Sequence, residues 1–169
     1  MPMLITNATA SFTRPADTNI YAVGDLVANS VTAGSVVPMQ FNLGSGGAFG
    51  NFRTVRARII KSGTTPTNAT FRLHLYTQSP TCANGDNGAW STNKAVNWVG
   101  NVDVSSMLAF TDGCAGTGSL PAGSEAFLNF TNNTATSPTY IYGLLAALGT
   151  YTPASAEVFT VVLEMVDAW

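Results

Sequence analysis

Charge is what this chain has least of. Only 9% of its 169 residues are charged, histidine occurs once, and seven basic residues nearly balance nine acidic ones, for a net charge of −2. Such a surface projects no long-range field, so neither nucleic acid nor an anionic membrane is an expected partner. Carboxylates are scattered and suggest no general acid–base pair, and no Gly-x-Ser-x-Gly elbow or phosphate-binding loop occurs. The reading is therefore of a non-enzyme that needs no cofactor. Two cysteines, Cys82 and Cys114, are too few for a disulfide scaffold or a zinc site. They lie in turn-rich segments where a single disulfide is conceivable, but two free thiols in a reducing cytoplasm are favoured. No run approaches the ~20 apolar residues of a membrane span. The opening Met1-Pro2-Met3-Leu4-Ile5-Thr6 does not read as a secretory signal.

What is present is alternating apolar sequence. Hydrophobic residues make up 46% of the chain, enough for one domain with a substantial core. Phe71-Arg72-Leu73-His74-Leu75-Tyr76 alternates with a period of two, which predicts Phe71, Leu73 and Leu75 inward and Arg72, His74 and Tyr76 outward. Residues 55–61 alternate likewise, with Ala57 and Ile59 inward and Arg56 and Arg58 outward. The intervening Ser62–Asn68 reads as a turn, making the two segments an antiparallel hairpin. Further strands are expected at 8–12, 21–29, 36–43, 99–104, 125–130, 139–145 and 158–167. Segments rich in Gly, Pro, Asn and Ser separate them, including 44–47, 113–123 and 131–138. Residues 143–148 fit helix or strand equally, and 105–108 fit one helical turn. The pattern predicts an all-β protein, an antiparallel β-sandwich, with about eight strands suggesting a jelly roll. Residues 21–169 form the sandwich, and 1–20 an extended segment of the same domain. Residues 158–166 are apolar on both faces, as suits either a central covered strand or an oligomer contact.

Few residues invite a chemical role. His74 has neither a nucleophile nor further metal ligands beside it in sequence, so a surface histidine is the favoured reading. Arg53, Arg56, Arg58, Lys61 and Arg72 are five of the seven basic residues. In a hairpin, Arg56, Arg58 and Arg72 share an outward face. A docking surface for an acidic protein competes there with a solvated face paired to the domain's own carboxylates. Asp86, in Asn84-Gly85-Asp86-Asn87-Gly88, lacks the spacing of a calcium loop and reads as a turn. Trp90, Trp98, Tyr140, Tyr142 and Trp169 suit a core or interface better than a sugar-stacking platform. The Asn-x-Thr triplets at Asn7, Asn68, Asn129 and Asn132 are expected by chance in so Thr- and Asn-rich a chain.

The segment Phe12-Thr13-Arg14-Pro15-Ala16-Asp17-Thr18, followed by Tyr21-Ala22-Val23-Gly24-Asp25-Leu26-Val27, resembles the opening of a family of tailed-bacteriophage virion proteins. Members commonly begin Phe-Thr-Arg-Pro-Ala-Asp-Thr and continue Tyr-Ala-x-Gly-Asp-x-Val. The resemblance extends more faintly through 55–62, 71–76 and 85–87, about the first half of the chain. It implies a jelly-roll protein of the phage head, made in the bacterial cytoplasm. Its implied role is a decoration or cement protein, often a homotrimer, on the outer surface of the major capsid protein shell. No catalytic residues are implied. Arg14-Pro15 disfavours helix and Val23-Gly24-Asp25 suggests a tight turn. On this reading the segment crosses a surface, and Arg14 and Tyr21 contact the shell or a sister subunit. The rival is a carbohydrate- or receptor-binding module of a fibre or tail.

Overall fold

Period-two alternation dominates the fold, as it dominates the sequence. The computed structural model describes residues 5–43, 50–91, 95–120, 127–130 and 140–168. Their strands are β1 (Ile5–Thr13), β2 (Leu26–Val27), β3 (Met39–Asn42), β4 (Gly50–Lys61), β5 (Phe71–Tyr76) and β6 (Trp98–Val104). They continue with β7 (Leu108–Phe110), β8 (Gly113–Ser119), β9 (Phe127–Phe130), β10 (Tyr140–Ala147) and β11 (Val158–Ala168). The first sheet runs β1-β11-β4-β8-β7, with β9 also on β4. The second runs β2-β10-β5-β6, with β3 also on β10. Every pairing is antiparallel. The order 1-11-4-8 in one sheet and 2/3-10-5-6 in the other is the double Greek key of a jelly roll. Its eight positions match the expected number, one position being split into β2 and β3, with β7 and β9 added.

The core lies between the sheets. Phe71, Leu73 and Leu75 of β5 face Phe159, Val161, Leu163 and Met165 of β11 across it, and all are fully buried. Phe71 meets Phe159 edge-on at 5.3 Å, a favoured aromatic arrangement. β11 is a central strand, held by β1 on one side and β4 on the other. On its outer face Val162 and Val166 are buried, while Val158 is partly exposed. Residues 143–147 belong to strand β10, which resolves the ambiguity between helix and strand.

Three expectations need correction. β4 and β5 do not form a hairpin: β4 pairs with β11, β8 and β9, and β5 with β10 and β6. The link 62–70 crosses between sheets, which lie ~10 Å apart in a sandwich, where a hairpin commonly uses two to five residues. Residues 5–13 form an edge strand of the first sheet, in keeping with the strand expected at 8–12. Residues 113–119 are a strand, not a separator, and Leu108 opens β7 instead of closing a helical turn. A Cβ on Gly118 would lie 2.0 Å from the Asp103 carbonyl oxygen, and one on Gly116 2.4 Å from that of Ser106. Glycine is therefore required for β8 to lie against that backbone. The separators 44–47 and 131–138, and residues 121–126, lie outside the described residues.

Candidate functional site

The segment after β1 folds into the protein. Pro15 and the Gly24 turn (φ +90°) bend residues 14–25 round one end of the sandwich, and the Ala22 amide donates to Asp25 Oδ2 at 2.6 Å. This delivers Arg14 to a buried position where all five guanidinium N–H donors find acceptors. Nε donates to the Tyr21 hydroxyl at 2.8 Å, and Nη1 to the carbonyls of Asp17 and Ala154 at 2.6 and 3.3 Å. Nη2 donates to Asp17 Oδ1 at 2.9 Å and Asp86 Oδ2 at 3.1 Å. The other Asp86 oxygen accepts the Tyr21 hydroxyl at 2.6 Å and the Ala28 amide at 2.8 Å. Burial alone works against the charge on Arg14, but its bonds to Tyr21 and Asp17 outweigh that and raise its pKa. Burial, then the bond to Asp86, likewise pushes the Tyr21 phenol up.

A second buried ion pair adjoins the first. Lys61 Nζ reaches Glu157 Oε1 at 3.0 Å and the Gly63 carbonyl at 2.8 Å, and the Tyr151 hydroxyl donates to Glu157 Oε2. The rings of Tyr21 and Tyr151 stack at 6.1 Å, and the Tyr21 amide donates to the Tyr151 carbonyl at 2.9 Å. The two clusters thus tie the segments around 14–28, 61–63, 86 and 151–157 into one lock. Arg14 and Tyr21 are consequently not surface contacts, correcting their expected interface role. Asp86 is a buried anchor and not merely a turn residue. Among the described residues no group of three or more His, Cys, Asp or Glu side chains is arranged to hold a metal.

The arginines expected on one face are divided between two. Arg56 and Arg58 lie on the outer face of the first sheet, and Arg72 on that of the second. Arg56 is paired with Glu164 at 2.5 Å. Arg72 donates twice to Asp103, both at 2.7 Å, so the domain's own carboxylates satisfy both arginines. Arg58 is half-buried, and its Nε has no partner among the described residues. No docking surface assembles from Arg56, Arg58 and Arg72. Cys82 and Cys114 are both free. Cys114 lies in the main core, whereas Cys82 packs on the small apolar cluster of Leu26, Ala28, Tyr76 and Leu144.

That small cluster lies outside the second sheet, beneath the segment linking β5 to β6. The segment is fastened by Asp86, by the Trp90 amide donating to the Gly24 carbonyl at 2.7 Å, and by the Asn87 amide donating to that of Leu26 at 2.9 Å. Beneath it His74 stacks on Trp90 at 4.2 Å and meets Trp98 at 6.4 Å. His74 is therefore not a surface histidine. Burial foremost, then the charge of Arg72, pulls its pKa down to about 4. Trp98 remains 42% exposed, and Tyr140 and Tyr142 are half-buried. Asn7 and Asn68 are exposed; Trp169 and Asn132, and the Asn129 side chain, lie outside what is described.

Among the described residues, the outer face of the first sheet carries no such cover at its β7 end. Leu108 is 72% exposed, Phe110 55%, and Ile60 and Val158 38% each. Register aligns Thr160, Ile60, Ala115 and Leu108 in one row across four strands, with Phe110 opposite Gly113 beside it. Ile60, Phe110, Val158 and Thr160 line a shallow groove with Ser62 and Asp112. Sequence reading missed this face because it placed no strand at 108–119. Lys61 gave a usable signal for the lock: it shares the inward parity of Ala57 and Ile59, and an inward charge requires a buried counter-charge. No family model and no curated protein matches this chain.

Proposed function

We propose that this chain is a structural protein of a tailed-bacteriophage virion, a decoration or cement protein that stabilises the capsid by bridging capsomers. It works by adhesion, not by transforming a substrate. The resemblance in residues 12–27 supports the phage assignment. The structural observation that carries the adhesive reading is the exposed apolar face of Ile60, Leu108, Phe110 and Val158. A contiguous apolar surface ending in an open strand edge is what subunit contacts bury. Its proposed occupant is a further copy of this chain, in an oligomer that the family likeness makes a trimer, seated on the major capsid protein. Each contact need contribute only a few kcal/mol, because linked copies raise one another's effective concentration.

Quantitative mass spectrometry of purified particles tests the proposal. A copy number comparable to that of the major capsid protein is expected. Absence from the particles would overturn it. A few copies per particle, confined to tail or fibre fractions, would instead favour the receptor-binding alternative.

A further inference from the structure

The outer face of the second sheet near β6 combines a held indole with fixed polar groups. Trp98 stands opposite Tyr76, and the His74 ring, itself stacked on Trp90, abuts it. An indole braced in this way keeps its orientation while 42% of the residue stays exposed. Leaving an aromatic surface of that size in water is unfavourable unless something covers it. Farther along the same face, Asn101 lies opposite His74 and Asp103 opposite Arg72. Arg72 grips Asp103 through two bonds of 2.7 Å, and Asn101 Nδ2 donates to Asp103 Oδ1 at 3.1 Å. These planar groups are partly exposed and held in fixed directions.

We propose that Trp98, Asn101, Asp103 and Arg72 form a binding site for a neutral oligosaccharide. One sugar ring stacks its apolar face on Trp98, and the hydroxyls of the next bond to the Asn101–Asp103–Arg72 group. The spacing suits this: Tyr76 and His74, opposite Trp98 and Asn101, are two residues apart, about 7 Å at ~3.3 Å per residue, within reach of hydroxyls on the adjoining ring. The Arg72–Asp103 pair lies beyond them along the chain of sugars. Charge selects the class. Arg72 is neutralised by Asp103, so the pair offers hydrogen bonds without the free cation that a uronic or sialic acid would require. The site is shallow and open, so affinity for one copy lies in the millimolar range, and several copies on one particle would multiply it. This inference does not depend on the capsid reading, since it concerns the isolated protein and the opposite face.

The test is saturation-transfer NMR on the full-length protein with maltose, cellobiose, lactose and N,N′-diacetylchitobiose at about 10 mM each, followed by titration. A neutral and acidic glycan array runs in parallel. At least one neutral sugar is expected to bind, with Trp98→Ala weakening it about tenfold or more and Asn101→Ala several-fold. Trp98→Phe, which keeps a ring, should retain part of the binding and guards against misfolding of the alanine variant. The proposal is overturned if no neutral sugar binds, if only acidic glycans bind, or if binding survives both Trp98→Ala and Asn101→Ala. It is equally overturned if Trp98→Ala changes the oligomeric mass instead, because the indole would then be a subunit contact.

Discussion

The two sheets of this sandwich are finished differently on their outer faces. Outside the second sheet the chain supplies its own cover: the segment between β5 and β6 lays Cys82 and Trp90 over Tyr76, Leu144 and His74. Outside the first sheet, Leu108, Phe110, Ile60 and Val158 are left to solvent at the β7 end. Both faces carry apolar side chains on similar strands, so strand composition does not explain the contrast. Tethering does. The covering segment is fastened to the domain end by Asp86, whose carboxylate takes bonds from Arg14, Tyr21 and Ala28. The described residues show no corresponding anchor over the first sheet. The second sheet is covered by its own chain except near β6, where Trp98 stays exposed, and the β7 end of the first sheet is available to a neighbour.

The strongest way to break this contrast is to cut the tether. Asp86→Asn leaves the buried Arg14 without its deeper counter-charge, and losing one partner of a buried pair costs about 3–5 kcal/mol. Urea unfolding is expected to show a loss of that size. Below the transition, hydrogen exchange should accelerate in residues 77–91 before it does in β4 or β11. A loss under about 1 kcal/mol, or exchange that rises evenly across the chain, would mean that the covering segment is held by its apolar contacts alone.

How much of this was legible beforehand follows from where each constraint acts. Strands β4, β5 and β11 carried clear local signals, because burial on one or both faces imprints itself on a single strand's composition. Residues 143–147 of β10, uniformly apolar, fit helix as well as strand. β8 did not. Gly113, Gly116 and Gly118 mimic a turn in sequence, and only the backbone lying against them in space makes them strand residues. The hairpin error has the same origin: residues 62–70 look like a turn whichever sheet follows. The lock was half legible. Arg14, Asp17 and Tyr21 stand close together in sequence, but their meeting with Asp86 spans 72 positions of chain. That these residues form a buried lock and not an interface needed the fold.

The covered face should also be sensitive to acid. His74 has a folded pKa of about 4, set chiefly by burial, against about 6.5 unfolded. Between those values the unfolded chain binds more protons, so stability falls as pH drops from 6.5 towards 4. The full effect is on the order of 3 kcal/mol. His74→Phe, which keeps a ring to stack on Trp90 but does not titrate, should flatten the slope of unfolding free energy against pH in this window. An unchanged slope would assign the acid sensitivity to other groups.

The smallest expected effect on folding tests the open face. Leu108→Ser combined with Phe110→Ser removes two apolar side chains that the folded chain leaves in water. Substitutions at such positions usually shift stability by about 0.5 kcal/mol or less. Urea unfolding at protein concentrations below the association range should therefore be nearly unchanged, a condition needed because association would otherwise add to apparent stability. Light scattering at higher concentration should move in the opposite sense, from an oligomeric wild-type mass to a monomeric variant. Equal masses would remove Leu108 and Phe110 from any contact between copies. A stability loss of several kcal/mol in the monomer would show that these side chains pack within the fold, and the contrast between the two faces would disappear.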